Sequence, residues 1–243
     1  MRDRTRAFGM NSRKYARACA IVSLLASLSS LAQQDGPVAE EFVPKGLTGP
    51  VVVLLSGASG TTNYREYAAD VAALGYYAVL VDGKDILTRQ QDGEQNLRKV
   101  IARAQASWNA VPGKVAVVGF SQGGGGAIAH AAVMPELVSA AVAYYPAISW
   151  AAKNIAALAE RIKLPVLVLA GESDRYNNCC LIEHMHQLES AARKKQLPVE
   201  LVVYPNTDHG FNLWGRAYRN DITQDAWRRT REILDRYLPV KQP

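Results

Sequence analysis

The chain holds little cysteine: three in 243 residues. Cys19 opens an N-terminal apolar run rather than closing it, which makes it a poor lipid-attachment site. That run, Ala18 to Ala32, is short and rich in serine, whereas a membrane span needs about 20 apolar residues. There is no internal repeat and no low-complexity tract. The one glycine run, Gly123 to Gly126, is not followed by Gly-Lys-Ser or Gly-Lys-Thr, so a nucleotide-cradling loop is excluded. Histidine is also scarce, with four in the chain.

What is present begins with charge. The formal net charge of +6 would suit an acidic partner, but Arg2, Arg4, Arg6, Arg13, Lys14 and Arg17 precede the apolar run. Basic lead, short apolar stretch and small residues at Ser30 and Ala32 predict a secretory signal peptide over residues 1–32, cut after Ala32. An uncleaved anchor is the alternative. Cleavage takes six of the 28 basic and one of the 22 acidic residues, leaving a net of +1. No footprint for nucleic acid remains. The expected location is periplasmic or secreted, without stable membrane association once the signal is removed.

Residues 33–49 read as a loose lead-in, with a short edge strand around Glu41 to Val43. From residue 50 the chain is expected to form one domain. Continuous apolar runs of strand length at 50–55, 76–82, 114–118, 138–145, 165–170 and 199–204 suit a parallel sheet covered on both faces. Helical patterns are expected at 64–74, 93–109, 127–134, 152–161, 181–195 and 217–237. Such alternation predicts an α/β fold, an open and mostly parallel sheet with helices on both faces. Ligands of these sheets bind beyond the carboxyl ends of the strands.

At that edge lies Gly119-Phe120-Ser121-Gln122-Gly123, between a predicted strand and a predicted helix. A serine flanked by glycines two residues away on either side forms the nucleophile-elbow pattern, a strained turn that lifts the hydroxyl above the sheet. A serine hydroxyl needs a base to act at neutral pH. His209, after the strand 199–204, is the expected base. Asp174, after 165–170, is the expected carboxylate on its far nitrogen, with Glu172 and Asp208 as rivals. The order Ser121, Asp174, His209 is that of an α/β-hydrolase. The oxyanion of a tetrahedral intermediate calls for the Gln122 N–H and a second donor in Ser56 to Gly60, Ala58 first and Ser59 second. This machinery calls for no cofactor and no metal.

Gly119-Phe120-Ser121-Gln122-Gly123-Gly124, Tyr144-Tyr145-Pro146, Gly171-Glu172-Ser173-Asp174 and Asp208-His209-Gly210-Phe211 resemble the dienelactone hydrolase family of α/β-hydrolases. The resemblance covers most of residues 50–240. It implies a hydrolase without a large lid domain, acting on small-molecule esters or lactones through Ser121, Asp174 and His209. Two departures stand out. Dienelactone hydrolases proper place cysteine at the nucleophile position, and related hydrolases often begin the first oxyanion loop with His-Gly where this chain has Ser56-Gly57.

Tyr144 and Tyr145 are candidates for the substrate pocket, with core packing as the alternative. Cys179 and Cys180 are expected near the rim of the site. Free thiols or a disulfide are both open to them, and a bridge between neighbours, whose Cα atoms are about 3.8 Å apart, is strained and easily reduced. A soft metal held by Cys180 and His184, with Met185 and His186 nearby, is a minor reading. An amidase, peptidase or acyltransferase would use the same triad. A non-catalytic binding or redox module built on the cysteine pair is the alternative of another class.

Overall fold

The computed structural model describes residues 36–240, so the predicted signal peptide lies outside the described residues. Seven strands, β1 (Ala39–Phe42), β2 (Val51–Leu55), β3 (Tyr77–Val81), β4 (Val115–Phe120), β5 (Val138–Tyr144), β6 (Val166–Gly171) and β7 (Val199–Tyr204), form one sheet. Its order is β1-β3-β2-β4-β5-β6-β7, and only the β1–β3 pair is antiparallel. The edge strand expected near Glu41 is β1, so the sheet takes in part of the lead-in.

Among the described residues six α-helices accompany the sheet: α1 (Arg65–Ala73), α2 (Gly93–Gln105), α3 (Gln122–Ala129), α4 (Ile155–Glu160), α5 (Ile182–Lys194) and α6 (Asn220–Tyr237). The two-residue period of a strand divides its side chains between two cores. Val51, Val53 and Leu55 pack with Leu97 of α2, Ile128 of α3, Leu158 of α4 and Leu188 of α5. Val52 and Leu54 pack instead with Ala68 and Val71 of α1 and Ala226 and Leu234 of α6. Every residue of β2, β3, β4 and β6 is buried, which is why these segments read as unbroken apolar runs. Among the described residues no helix is long and apolar enough to cross a membrane.

Several helix limits differ from the expected ones, and α3 differs most. It begins at Gln122, takes in all four glycines and stops at Ala129, before a short turn at residues 131–133. The glycines, weak helix formers by propensity, are held in helix by packing that leaves no room for a side chain. A Cβ on Gly125 would come within 2.3 Å of the Ala147 carbonyl. Helix α2 stops at Gln105, four residues earlier than expected, and α6 starts at Asn220 rather than 217.

Candidate active site

Ser121 stands between β4 and α3 with φ 51° and ψ −110°, a backbone conformation rare outside glycine. The strain is held by its neighbours. Ser121 N–H donates to the Tyr144 carbonyl (2.9 Å), while its own carbonyl accepts from Gly125 N–H (2.9 Å) and Ala147 N–H (2.8 Å). The flanking glycines are required by space. A Cβ on Gly119 would lie 2.2 Å from the Gly123 carbonyl oxygen, and one on Gly123 would lie 2.2 Å from that of Leu55.

The expected base and acid, His209 and Asp174, arrive on the loops after the two strands at the sheet's far edge. Ser173 N–H donates to the Thr207 carbonyl at 3.0 Å, fastening the two loops together. His209 Nδ1 then lies 2.7 Å from Asp174 Oδ2, and its Nε2 lies 3.0 Å from Ser121 Oγ. Asp174 Oδ1 accepts from Tyr176 N–H (3.0 Å), so both carboxylate oxygens have partners. The Asp174 side chain is 1% exposed and that of His209 13%, which shields the acid and leaves the ring an opening to the cleft. The rival acids are engaged elsewhere: Glu172 accepts from Asn206 N–H, and Asp208 from the N–H of His209 itself.

Aromatic rings set the orientation of the imidazole. Tyr176 stacks on His209 with centroids 4.6 Å apart and planes within 8°. Tyr145 meets the ring edge-on, also at 4.6 Å. A cleft of about 300 Å³ opens here, lined by Gly57, Ala58, Ser59, Tyr64, Tyr145, Tyr176, Leu213, Trp214 and Arg216 together with Ser121 and His209.

Ala58, the first candidate for the second oxyanion donor, lines this cleft together with Ser121 and with the second candidate, Ser59. The N–H groups of Ala58, Ser59 and Gln122 have no acceptor among the described residues. The Gln122 side chain turns away and donates to the Leu87 carbonyl. Ser56, where the resemblance leads one to look for histidine, is fully buried. Its Oγ donates to the Gly57 carbonyl and accepts from Gly83 N–H, both at 3.1 Å, bracing the oxyanion loop.

The tyrosine pair divides. Tyr145 lines the cleft, whereas Tyr144 does not. The Tyr144 hydroxyl sits in the core, 2.8 Å from Thr230 Oγ1 and 3.2 Å from the Tyr67 hydroxyl. It is the last residue of β5 and points toward α6, while Tyr145 takes a left-handed φ of 35° that re-aims the chain. Burial pushes both hydroxyls well above the usual tyrosine range.

Sequence reasoning missed Tyr64, Leu213 and Arg216, although Trp214 and Tyr176 were expected on loops at this edge. Tyr64 precedes α1 and reads as an ordinary packing residue. Its hydroxyl nevertheless reaches the oxyanion loop, since a Cβ on Gly57 would come 2.5 Å from it and 3.4 Å from Ser121 Cβ. Burial pushes its hydroxyl above the usual tyrosine range, opposed by hydrogen bonding to Gly57 and Ser59.

Cys179 and Cys180 are bonded to each other, with Cα atoms 3.8 Å apart. They adjoin the triad: the two sulfurs and a ring nitrogen of His209 all lie within 4.8 Å of one another. The minor reading, a grouping of Cys180 with His184 and His186, is not formed among the described residues. Neither belongs to a cluster of three metal-ligating side chains among the described residues, and Met185 is buried in the core.

A mostly parallel sheet carrying a serine on a strained strand-to-helix turn, with aspartate and histidine on later strand ends, defines an α/β-hydrolase. Solved structures share this fold. Thermogutta terrifontis esterase 2 phosphonylated by cyclosarin superimposes with a TM-score of 0.69 at 17% identity, over 84% of this chain and 90% of that one. A thermophilic esterase of the same organism with propionate bound gives 0.63 at 17% identity, over 87% and 98%. In sequence, the carboxymethylenebutenolidase of Rhodococcus opacus is 30% identical over 217 residues, which cover 79% of this chain and 83% of that protein. Residues 39–238 match the dienelactone hydrolase family, and the chain belongs to that family. Membership supports a hydrolase acting on esters or lactones.

Proposed function

We propose that this protein is an exported serine hydrolase that cleaves carboxylic esters or lactones with small acyl groups. Ser121 Oγ attacks the carbonyl carbon while His209 Nε2 takes its proton, and an acyl-enzyme forms as the alcohol leaves with that proton. Water, deprotonated by the same nitrogen, then releases the acid. Asp174 holds the ring in the tautomer that leaves Nε2 free to accept and stabilises the imidazolium that forms. The N–H groups of Gln122 and Ala58 receive the oxyanion. Tyr145 and Tyr176 fix the ring from its edge and its face.

The observation that carries this reading is the unbroken line of contacts from Asp174 Oδ2 through His209 to Ser121 Oγ, at 2.7 and 3.0 Å. A binding module has no use for a buried carboxylate aimed at an imidazole that is itself aimed at a strained serine. Export is supported by the basic and apolar character of residues 1–32. The experiment is hydrolysis of short-chain aryl esters, lactones, long-chain esters and peptide amides by the wild type and by Ser121→Ala. Short esters or lactones are expected to be cleaved best, and only by the wild type. Equal rates for the two proteins would overturn the reading.

A further inference from the structure

The serine-hydrolase reading leaves one feature beside the triad unused. Two sulfurs and an imidazole nitrogen lie within 4.8 Å of one another at Cys179, Cys180 and His209. We propose that the reduced form of this pair, with His209, is a binding site for a soft, thiophilic metal ion such as Zn²⁺ or Cd²⁺, and that an ion bound there disables the triad.

The donor set decides the class of ligand. Two thiolates and one imidazole suit soft and borderline ions and are the wrong chemistry for Ca²⁺ or Mg²⁺, which take oxygen ligands. Tetrahedral zinc, with bonds of about 2.3 Å to sulfur and about 2.0–2.1 Å to nitrogen, sets its donors about 3.6–3.8 Å apart. The sulfur-to-nitrogen separations, none above 4.8 Å, are therefore within about 1 Å of a coordinating set, and the two sulfurs, bonded to each other here, reach it by parting on reduction. Cys179 is partly exposed and Cys180 is 1% exposed, so an ion reaches the site from the Cys179 side and is held away from solvent.

The surrounding backbone keeps the donors in place once the bridge is opened. The Cys179 carbonyl accepts from both Ile148 N–H and Ser149 N–H at 3.1 Å, which anchors the segment to the loop after β5. Its other end is fixed by Asp174 Oδ1 on Tyr176 N–H. These bonds do not involve the sulfurs.

The chemistry balances in two steps. A phosphine reductant attacks one sulfur, the other leaves as thiolate, and water hydrolyses the adduct to the phosphine oxide, leaving two thiols. The divalent ion then displaces one proton from each thiol and takes the lone pair of one imidazole nitrogen. Nδ1 is bonded to Asp174 and Nε2 to Ser121, so whichever nitrogen binds the ion, one of the two triad contacts breaks. The disulfide is accordingly the form in which the hydrolase is protected from such ions.

The test uses the full chain, reduced by a phosphine, freed of reductant under anaerobic conditions and titrated with Cd²⁺. Thiolate-to-metal charge-transfer absorption and native mass spectrometry count the ions bound. One tight equivalent is expected for the reduced wild type and none for the disulfide form. Cys179→Ser and Cys180→Ser are each expected to weaken binding at least tenfold, as is His209→Ala. Bound Cd²⁺ is expected to block labelling of Ser121 by a fluorophosphonate, with a chelator restoring it. No tight equivalent on the reduced chain, a reduced chain that has lost its near-ultraviolet circular dichroism, or undiminished affinity in His209→Ala would each overturn the proposal. Only the labelling arm depends on the serine-hydrolase reading; a wild type that binds Cd²⁺ but never labels would count against that reading alone.

Discussion

Asp174 Oδ2 and His209 Nδ1 meet at 2.7 Å although 35 residues separate them in sequence. Their loops follow β6 and β7, neighbours in parallel register from Val166 opposite Val199 to Gly171 opposite Tyr204. Equal strand lengths deliver both residues to the same edge, and the Ser173–Thr207 hydrogen bond removes the remaining freedom. Asp174 is thereby positioned by the sheet together with the hydrogen bonds of its own loop, among them Tyr176 N–H to Asp174 Oδ1.

Asp174→Asn is expected to lower kcat by about 10²–10⁴-fold with little change in KM, because the amide favours the wrong ring tautomer without emptying the site. Glu172→Gln and Asp208→Asn, whose carboxylates bond to backbone N–H groups elsewhere, should leave kcat of the same order. Steady-state kinetics on one short ester compares the three. A larger loss in Glu172→Gln than in Asp174→Asn would move the acid to Glu172.

Gly123→Ala tests the packing beneath the elbow. A methyl there meets the Leu55 and Ser56 carbonyl oxygens at 2.2 and 2.5 Å, and neither strand end can yield without disturbing β2. A loss of about 3 kcal/mol is expected from the urea midpoint. Gly46→Ala, with nothing within 4 Å of the added carbon, should change stability by less than about 0.5 kcal/mol.

Asp225 provides the pH test of stability. Burial pushes its carboxyl up, but hydrogen bonds from Arg229, Arg228 and Tyr204 outweigh that and bring it from 3.8 down to about 2. A carboxyl lowered by folding stabilises the protein above its unfolded value, and that contribution is lost as pH falls from about 4 toward 2. Asp225→Asn should therefore cost about 1 kcal/mol at pH 7 and progressively less as pH falls through that window. Urea unfolding of both proteins at pH 7, 5 and 3 measures the closing gap. A constant gap would show that the charge of Asp225 is not what stabilises.

The cleft of about 300 Å³ sets a limit on the acyl group. Aryl acetates and butyrates are expected to give higher kcat/KM than laurates. A preference for laurate would mean that the chain leaves the cleft by a route the lining residues do not define.

The strands were readable because a parallel sheet buried on both faces demands unbroken β-branched runs such as Val51-Val52-Val53-Leu54-Leu55. That Ser121, Asp174 and His209 would be brought together was readable because each follows such a run. The start of α3 was not. Four successive glycines are weak helix formers, so the helical pattern shows only from Ala127, and what holds them in helix is the closeness of the Leu55, Tyr144 and Ala147 carbonyls, which sequence does not display. Adjacent Tyr144 and Tyr145 could not be told apart, since the choice of cleft or core depends on a left-handed residue at Tyr145 just beyond the strand. Tyr64 lay beyond reach for the same kind of reason: its place in the cleft depends on how the loop at Gly57 packs against its hydroxyl.

The central claim is that Ser121 is a nucleophile activated by His209. Intact-mass and peptide analysis after treatment with a fluorophosphonate tests it most directly. One adduct per chain on Ser121 is expected, absent in Ser121→Ala and strongly slowed in His209→Ala. A folded wild-type protein that acquires no adduct on Ser121 would contradict the account.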